Sequence, residues 1–205
     1  MSHVGRPASL ALLLPLFALI LASCQTIGSG AAQAQPSAPN GTVTSLAIAR
    51  VDGSLLEVAG GLWRSTDQSQ SWHALAIPTS LHPEKLRQVA TLPAAPTSIF
   101  AAGPGAGVLR SDDDGKTWRR ISAGLPSQQV TAFAVHSYLP DTIYSWIAGQ
   151  GVFRTENGGQ RWQKMDSGPD AAVVALAHST LEGSMNTGWL YAATPKGPYL
   201  SMDCF

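Results

Sequence analysis

Short apolar segments and turn-forming residues alternate in a fixed order from residue 43 to the end of this 205-residue chain. The segments are rich in β-branched and aromatic residues and are bounded by Gly, Pro, Asn, Asp and Ser, a pattern that predicts β-strands. Four segments predict the first strand of a repeating unit, at residues 43–49, 89–92, 130–135 and 173–177. Second strands are predicted at 97–103, 142–149 and 188–194, third strands at 61–64, 107–110, 151–154 and 197–200, and fourth strands at 72–77, 118–121 and 162–165.

A polar motif, S-x-D-x-G-x-T-W, separates the third strand from the fourth. Its best copy comprises Ser111, Asp113, Gly115, Thr117 and Trp118. The weaker copies comprise Ser65, Asp67, Ser71 and Trp72, then Thr155, Asn157, Gly159 and Trp162, and finally Ser201 with Asp203. The copies start 111−65=46, 155−111=44 and 201−155=46 residues apart. A fixed period of about 40–50 residues is typical of stacked repeats such as propeller blades.

The chemistry of this repeat motif suits a tight hairpin. A carboxylate such as Asp113 can accept N–H groups of its own turn, Gly115 can adopt φ > 0, and Trp118 can bury its ring against the sheet. Asn157 can make the same turn-type hydrogen bonds. Ser69 replaces the glycine of the first copy, so we expect the first turn to be the least regular. All motif residues are assigned a structural role.

Four short antiparallel strands per repeat predict an all-β fold, a β-propeller with three full blades plus a partial fourth. The predicted blade boundaries are about 43–88, 89–129, 130–172 and 173–205. The last repeat lacks a fourth strand, which leaves three interpretations open: a truncated product of a longer gene, an open arc of blades, or half of an oligomeric ring. An open blade edge would favour self-association.

With these repeats, the chain resembles the Asp-box, or BNR-repeat, β-propeller superfamily, which includes sialidases, other glycosidases, sortilin-type receptors and photosystem II stability/assembly factors. The resemblance covers most of residues 43–205. Residues 130–162 are similar to the repeats of large secreted BNR proteins through His136, Pro140, Asp141, Thr142, Tyr144, Gly151, Arg154 and Trp162. The resemblance implies the propeller fold but no single activity, because the superfamily contains enzymes and binding modules alike.

A sialidase-like or other glycoside hydrolase is one alternative that the resemblance raises. A sialidase would need three converging arginines, and the arginine motif that precedes the first box in sialidases has no counterpart here. Arg64, Arg110 and Arg154 recur at the same place in each unit, which indicates a structural role. Other glycosidases need two carboxyl groups about 5 to 10 Å apart, and the sequence identifies no such pair. We therefore predict a non-catalytic binding or scaffold protein without catalytic residues, with a photosystem assembly factor-like protein as a further alternative.

Residues 1–23 predict a bacterial lipoprotein signal peptide. An apolar run at residues 8–22 follows Arg6, is interrupted by Pro15, and is shorter than the roughly 20 residues of a spanning helix. The run ends in Leu-Ala-Ser-Cys, which resembles the lipobox, so we expect lipid attachment at Cys24. Residues 24–42 are rich in Gly, Ala, Ser, Pro and Gln and predict a flexible linker. The expected location is extracytoplasmic, on the cell envelope; an ordinary secretory signal is the competing interpretation.

The balance of charged residues argues against a nucleic-acid partner. The chain has 13 basic and 13 acidic residues and no basic stripe of the kind that nucleic acids require. No cofactor or metal is expected; His136 and His178, predicted to occupy the same place in adjacent units, are assigned turn or packing roles. The expected partners are a membrane, through the lipid, and a protein or carbohydrate ligand. Four aromatic residues outside the motif are candidates for a ligand face: Trp63, Tyr138, Trp146 and Trp189.

Overall fold

The computed structural model of the protein describes residues 41–165, 168–179, 181 and 188–201. These residues form four antiparallel β-sheets that are arranged as a four-bladed β-propeller, which confirms the predicted fold class. None of the helices in this described part is long and apolar enough to cross a membrane. The predicted signal peptide, Cys24, the linker up to residue 40, and Asp203 lie outside the described residues.

Each blade is an antiparallel meander whose strands follow chain order. Blade 1 consists of β1 (Ser45–Ile48), β2 (Leu55–Val58), β3 (Leu62–Ser65) and β4 (His73–Ala74). Blade 2 consists of β5 (Gln88–Leu92), β6 (Ala95–Gly103), β7 (Gly107–Ser111) and β8 (Arg119–Arg120). Blade 3 consists of β9 (Val130–Val135), β10 (Ile143–Ile147), β11 (Gly151–Thr155) and β12 (Gln163–Lys164). The described part of blade 4 consists of β13 (Ala175–Ser179), β14 (Trp189–Thr194) and β15 (Gly197–Ser201).

Blades 1 and 2 depart from the predicted strand pattern in three places. The sequence pattern predicts no second strand for blade 1, yet Leu55–Val58 forms β2. This strand is too short to show a clear alternation, and its Glu57 is buried rather than exposed. β6 begins at Ala95, two residues before the predicted start at residue 97. The connection between the two blades contains two 3-10 helices, Thr79–Leu81 and Pro83–Lys85, each too short to give a periodic signal.

The propeller core lies between neighbouring blades. We call the face of a sheet that contacts the preceding blade its leading face, and the face that contacts the following blade its trailing face. In blade 3, the leading face carries Phe133, Ile143 and Phe153, which pack with Phe100 and Val108 from the trailing face of blade 2. Similar apolar cores join blade 1 to blade 2 and blade 3 to blade 4.

The leading face of blade 1 and the trailing face of blade 4 are not joined by any apolar core of the described residues. By strand register, Leu46 and Ile48 of blade 1 occupy the places that Phe133 and Val135 occupy in blade 3. Their exposed fractions are nevertheless 64% and 51%. On the trailing face of blade 4, Leu200 is 52% exposed. The row of blades therefore has apolar sheet surface at both ends.

Candidate binding site

The repeat motif of blade 2 closes its hairpin with side-chain hydrogen bonds. Ser111 Oγ and the Thr117 N–H donate to Asp113 Oδ1, both at 2.8 Å, and Thr117 Oγ1 donates to Asp113 Oδ2 at 2.6 Å. Gly115 has φ +86°, and its N–H donates to Ser111 Oγ at 2.8 Å. Hydrogen bonds lower the pKa of Asp113 to about 2; the largest contribution comes from the Thr117 side chain and the next from the Thr117 backbone N–H. The carboxylate therefore stays ionised as the acceptor of this turn.

The first copy of the motif makes the same turn. The Ser69 N–H donates to Ser65 Oγ at 2.8 Å, and the Ser71 N–H donates to Asp67 Oδ1 at 2.9 Å. Ser69 itself adopts φ +67°. The expectation that this turn would be the least regular is wrong, because Ser65 and Asp67 supply the defining hydrogen bonds whichever side chain stands at position 69. Trp72 after the turn is half-buried.

The third copy uses an asparagine as the acceptor. Thr155 Oγ1 and the Arg161 N–H donate to Asn157 Oδ1, each at 2.9 Å. The Gly159 N–H donates to Thr155 Oγ1 at 3.0 Å. The side chain of Trp162 donates to the carbonyl of Ile121 in the preceding blade at 2.9 Å. Of the fourth copy, Ser201 is described, and it is buried at the end of β15.

The arginines before the first two motifs bind carboxylates of the following blade. Arg64 Nη1 and Nη2 donate to the two carboxylate oxygens of Asp114 in blade 2, at 2.9 and 2.7 Å. Arg110 Nη1 donates to Asp141 Oδ1 in blade 3 at 2.6 Å. The guanidinium carbon of Arg110 also lies 5.1 Å from the ring centre of Phe100. Both side chains therefore bridge a blade interface.

The remaining charge contacts are local. Arg154 pairs with Glu156 of its own blade at 3.0 Å. Asp112 accepts hydrogen bonds from Arg110 and Arg119. Burial alone would raise the pKa of Asp112, but these hydrogen bonds outweigh the burial and lower it. The three recurring arginines have separate partners and do not converge on one centre.

The inner strands of all four blades line one cleft with a volume of about 490 Å³. Among the described residues that line it, His178 is the one ionisable side chain. The rest of the lining is apolar or neutral and polar, so the cleft suits an apolar ligand with a few neutral hydrogen-bonding groups. The lining residues are Thr44 and Ser45 of blade 1, Gln88, Val89 and Ala90 of blade 2, Phe133, Ala134 and Val135 of blade 3, and residues 174–178 of blade 4.

Two polar residues of the cleft connect the inner strands to each other. Ser45 Oγ accepts a hydrogen bond from the Val89 N–H at 3.1 Å. Gln88 Oε1 accepts from the Phe133 N–H at 3.0 Å, and Gln88 Nε2 donates to the Thr131 carbonyl at 3.3 Å. These bonds fix the spacing of β1, β5 and β9 and so the width of the cleft. Sequence reasoning missed both residues, although a single polar residue in an otherwise apolar inner strand is a signal that could have identified them.

His136 and His178 do not occupy equivalent positions, which corrects the expectation from the sequence. Ile143 pairs with Thr155, which begins the third motif, and Leu190 pairs with Ser201, which begins the fourth. Val135 pairs with Ile143, whereas His178 pairs with Leu190. His178 therefore occupies the place of Val135, while His136 follows the end of β9.

The two histidines pack against each other at the interface of blades 3 and 4. Their ring centres lie 3.9 Å apart. The Ser137 N–H donates to His178 Nδ1 at 3.1 Å, and the Leu139 N–H donates to His136 Nδ1 at 3.3 Å. Because Nδ1 accepts in both rings, the hydrogen bonds assign both neutral rings to the Nε2–H tautomer. The described residues contain no group of three His, Cys, Asp or Glu side chains placed to hold a metal ion.

The four aromatic residues predicted as a ligand face lie apart from one another. Trp146 is 7% exposed and packs in the core between blades 3 and 4, so its assignment to a ligand face is corrected. Trp63 is half-buried on the leading face of blade 1. Tyr138 is 42% exposed in the loop after β9, and Trp189 begins β14. None of the four lines the central cleft.

A tyrosine paired with a carboxylate occurs in blade 4. Tyr199 Oη donates to Asp170 Oδ1 at 3.0 Å, and Lys196 Nζ donates to Asp170 Oδ2 at 3.2 Å. The hydrogen bond to Asp170 raises the pKa of Tyr199. A tyrosine nucleophile needs the opposite shift. The pair also lies outside the cleft.

Solved structures with this fold come from proteins of different function. The GH74 xyloglucanase from Xanthomonas campestris is 23% identical, with a TM-score of 0.61 over 80% of this chain and 29% of that chain. YCF48 from Cyanidioschyzon merolae is 17% identical, with a TM-score of 0.59 over 83% of this chain and 56% of that chain. YCF48 bound to D1 peptide is 16% identical, with a TM-score of 0.53 over 78% of this chain and 48% of that chain. This chain is a β-propeller.

These similarities extend to the fold and no further. The sequence matches no protein-family model and no curated protein. The chain spans 29% to 56% of the length of the solved relatives described above. Identities below 25% over part of a larger protein establish shared architecture, and a shared fold does not imply a shared activity.

Proposed function

We propose that this protein is a non-catalytic binding protein of the bacterial cell envelope, which takes up an apolar segment of a partner protein in its central cleft. The observation that supports the proposal is the lining of the cleft. Inner strands from all four blades supply apolar and neutral side chains, and His178 is the one ionisable group in the described part of the lining. Because pockets of this composition bind through apolar contact and a few hydrogen bonds, a protein segment suits the cleft better than a charged substrate.

Two further observations favour a protein ligand over a carbohydrate. Aromatic rings outside the repeat motif do not gather around the cleft, since Trp63, Tyr138, Trp146 and Trp189 all lie elsewhere. A solved propeller with this fold, YCF48, has been observed with a bound D1 peptide. The D1 peptide is a ligand of YCF48. For this chain, the complex supports the general proposal that a propeller of this architecture can hold a peptide segment.

Peptide selection against the purified protein tests the cleft. We expect a phage-displayed library of random peptides to yield binders with an apolar core, whose dissociation constants are then measured by fluorescence anisotropy. Val174→Asp places a charge at the cleft on a side chain that is 58% exposed, so the fold is retained. We expect this change to weaken the selected peptides by about ten-fold or more.

Val51→Asp is the matched control, because Val51 is 54% exposed and does not line the cleft. The control should bind the peptides as the parent protein does. Equal binding by the Val174→Asp variant, or failure to enrich any peptide, would overturn the assignment of the cleft.

The envelope anchor is tested by metabolic labelling with an alkyne fatty acid in a bacterium that processes lipoproteins. The proposal expects label on the parent protein and on Cys204→Ala, and loss of label on Cys24→Ala. These are the two cysteines of the chain, so each variant controls for the other. Label that survives the Cys24→Ala change would remove the lipid anchor from the proposal.

A glycoside hydrolase is the second candidate, because the GH74 xyloglucanase shares the fold. Hydrolysis of a glycosidic bond needs two carboxyl groups about 5 to 10 Å apart on either side of the substrate. The purified protein should therefore release no reducing ends from xyloglucan if the binding proposal holds. The enzyme would be favoured if the Val174→Asp variant still released reducing ends and replacement of an Asp or Glu residue by its amide abolished the release.

A further inference from the structure

The two inter-blade arginines enter sites that are built in the same way. Arg64 binds Asp114, the fourth residue of the motif in blade 2, and the Asp114 N–H donates to the Thr97 carbonyl at 2.8 Å. Arg110 binds Asp141, whose carbonyl accepts a hydrogen bond from the Gly158 N–H at 3.0 Å. Each site therefore combines the fourth residue of a motif with the residue two positions before the one that pairs with the first motif residue, since Ile99 pairs with Ser111 and Ile143 pairs with Thr155.

Strand register identifies the corresponding site in blade 1. Leu55 pairs with Ser65 just as Ile99 pairs with Ser111 in blade 2. Gly53 therefore corresponds to Thr97, and Gln68 corresponds to Asp114. Like Asp114 and Gly158, which have φ +59° and +65°, Gln68 is left-handed, with φ +59°. Blade 1 thus shares the strand register and the left-handed turn residue of the two arginine sites.

This site in blade 1 is an open cavity with a volume of about 520 Å³. We call it the blade 1 socket; its lining residues are Asp52, Gly53, Ser54, Leu55, Ser65, Thr66 and Gln68. No arginine is among these residues, whereas the equivalent positions in blades 2 and 3 are in contact with one. Asp52 supplies a carboxylate beside the cavity.

A buried hydroxyl of the socket has a different carboxylate beside it from its counterpart in blade 2. Ser54 is 5% exposed; its Oγ lies outside normal hydrogen-bond geometry, but the Ser54 side chain is the largest cause of the lowered pKa of the neighbouring Asp52. In blade 2 the corresponding hydroxyl, that of Ser98, donates to Asp112 at 3.1 Å, and Asp112 in turn binds Arg110 and Arg119. The hydrogen bonds from the Ser54 side chain and backbone therefore keep Asp52 ionised beside the cavity, where its carboxylate can accept hydrogen bonds from a guanidinium group.

The surface around the socket is apolar. Leu46 and Ile48 are exposed, and Leu55 and Trp63 are half-buried on the same leading face. The corresponding face of blade 3 is covered by the trailing face of blade 2, from which Arg110 enters its site. The ligand that this surface fits is therefore a strand-forming segment with an arginine beside apolar residues.

The structure assigns the blade 1 socket as a guanidinium-binding site that docks an arginine-bearing β-strand of a partner protein on the leading face of blade 1. A second copy of this chain is not the favoured occupant, because the trailing face of blade 4 carries Leu200 where blades 1 to 3 carry Arg64, Arg110 and Arg154. The socket and the central cleft share no lining residue, so this assignment does not depend on the proposed function.

The probe that tests the assignment is the peptide acetyl-VLRS-amide, which copies residues 108–111 of the chain. It is titrated into isotope-labelled protein and followed through the backbone amide signals of Gly53, Ser54 and Gln68. We expect these signals to shift with the peptide and to remain in place with the two comparison peptides, VLLS and VLKS. Lysine fails because it lacks the planar fork of donors that arginine uses at Asp114.

Variants of exposed residues separate the socket from its surroundings. Thr66→Lys places a positive charge on an exposed residue of the socket and should abolish binding, whereas Gln70→Lys, on an exposed residue of the same turn that does not line the socket, should not. Asp52→Asn removes the charge but keeps an acceptor for the Ser54 N–H, and it should weaken binding by about three-fold.

Three outcomes would overturn the assignment: equal binding of VLRS and VLLS, unchanged binding by Thr66→Lys, or a homodimer whose interface covers the socket in sedimentation and amide-exchange measurements. Val174→Asp, which alters the central cleft, should leave VLRS binding unchanged. Loss of one binding activity without the other therefore distinguishes failure of this inference from failure of the proposed function.

Discussion

The leading faces of blades 1 and 3 have the same plan in different surroundings. Blade 3 places Phe133, Ile143 and Phe153 where blade 1 places Leu46, Leu55 and Trp63. The blade 3 residues are 5%, 0% and 8% exposed, whereas Leu46 is 64% exposed. The alternation of apolar residues therefore shows that a face is suited to packing, but whether the face is covered depends on a neighbouring sheet.

The two faces also differ in their arginine sites. Arg110 from blade 2 occupies the site on blade 3, whereas no arginine is among the described residues that line the equivalent socket on blade 1. An inter-blade arginine therefore indicates that two sheets are neighbours within this chain. Covered and open faces should therefore differ in their contribution to the free energy of unfolding, as their burial implies.

The largest difference is expected between two isoleucines of these leading faces. Ile143→Ala removes a side chain that is 0% exposed in the core between blades 2 and 3, and it should lower the free energy of unfolding by about 2–5 kcal/mol. Ile48→Ala acts on the open face, where the side chain is 51% exposed, and it should cost less than about 1 kcal/mol. Urea unfolding of the two variants measures both values. Equal costs would show that a partner covers the face of blade 1 in solution.

Much of this fold could be predicted from the sequence because its repeats carry local signals. The motif residues Ser111, Asp113 and Gly115 fix a hairpin through contacts within a few residues, so their spacing reveals the blades. β2 could not be predicted in the same way. Its four residues are too few to show a period, and Glu57 is buried by tertiary contacts.

The candidate sites were largely beyond prediction because they depend on contacts between blades. Gln88 defines the cleft through bonds to Thr131 and Phe133, more than 40 residues away, and no local pattern encodes that distance. Trp146 was predicted as a ligand contact because an aromatic residue in a strand looks the same whether a neighbouring blade covers it or not. The structural role inferred for Arg64 from its repetition corresponds to its contact with Asp114, but the sequence alone could not identify that partner.

A smaller effect is expected from the charge pair that marks a covered interface. Arg64 and Asp114 have side chains that are 15% and 20% exposed and form two hydrogen bonds. A double-mutant cycle with Arg64→Met and Asp114→Asn should give a coupling energy of about 1 kcal/mol. Asparagine tolerates the left-handed conformation at position 114, where φ is +59°, so backbone strain does not obscure the result.

The matched pair for this cycle is Arg154 and Glu156, which lie within one blade and are 28% and 67% exposed. Their coupling should be below about 0.5 kcal/mol, because solvent screens exposed ion pairs. Equal coupling energies in the two cycles would show that the position of Arg64 and Asp114 between two blades does not strengthen their ion pair.

The smallest effect is expected from acid, and it acts on the motif turns rather than on the blade faces. The folded-state pKa values of Asp67 and Asp113 are about 2, below the ordinary value of 3.8, mainly because of hydrogen bonds from Ser71 and Thr117. A lowered pKa in the folded state contributes stability above pH 3.8, and this stability is lost as the pH falls from 3.8 toward 2. Both residues are partly exposed to solvent, so the loss should be modest.

The third motif supplies the control for this acid effect, because Asn157 makes the same turn without an ionisable group. Asp113→Asn should reduce the shift of the urea midpoint between pH 5 and pH 2.5, and Asn157→Asp should increase it. Constant ionic strength keeps the screening of other charges equal across the series. An unchanged shift in both variants would mean that the hydrogen bonds of the motif do not set its acid sensitivity, and that the pH dependence arises from the charge pairs between blades.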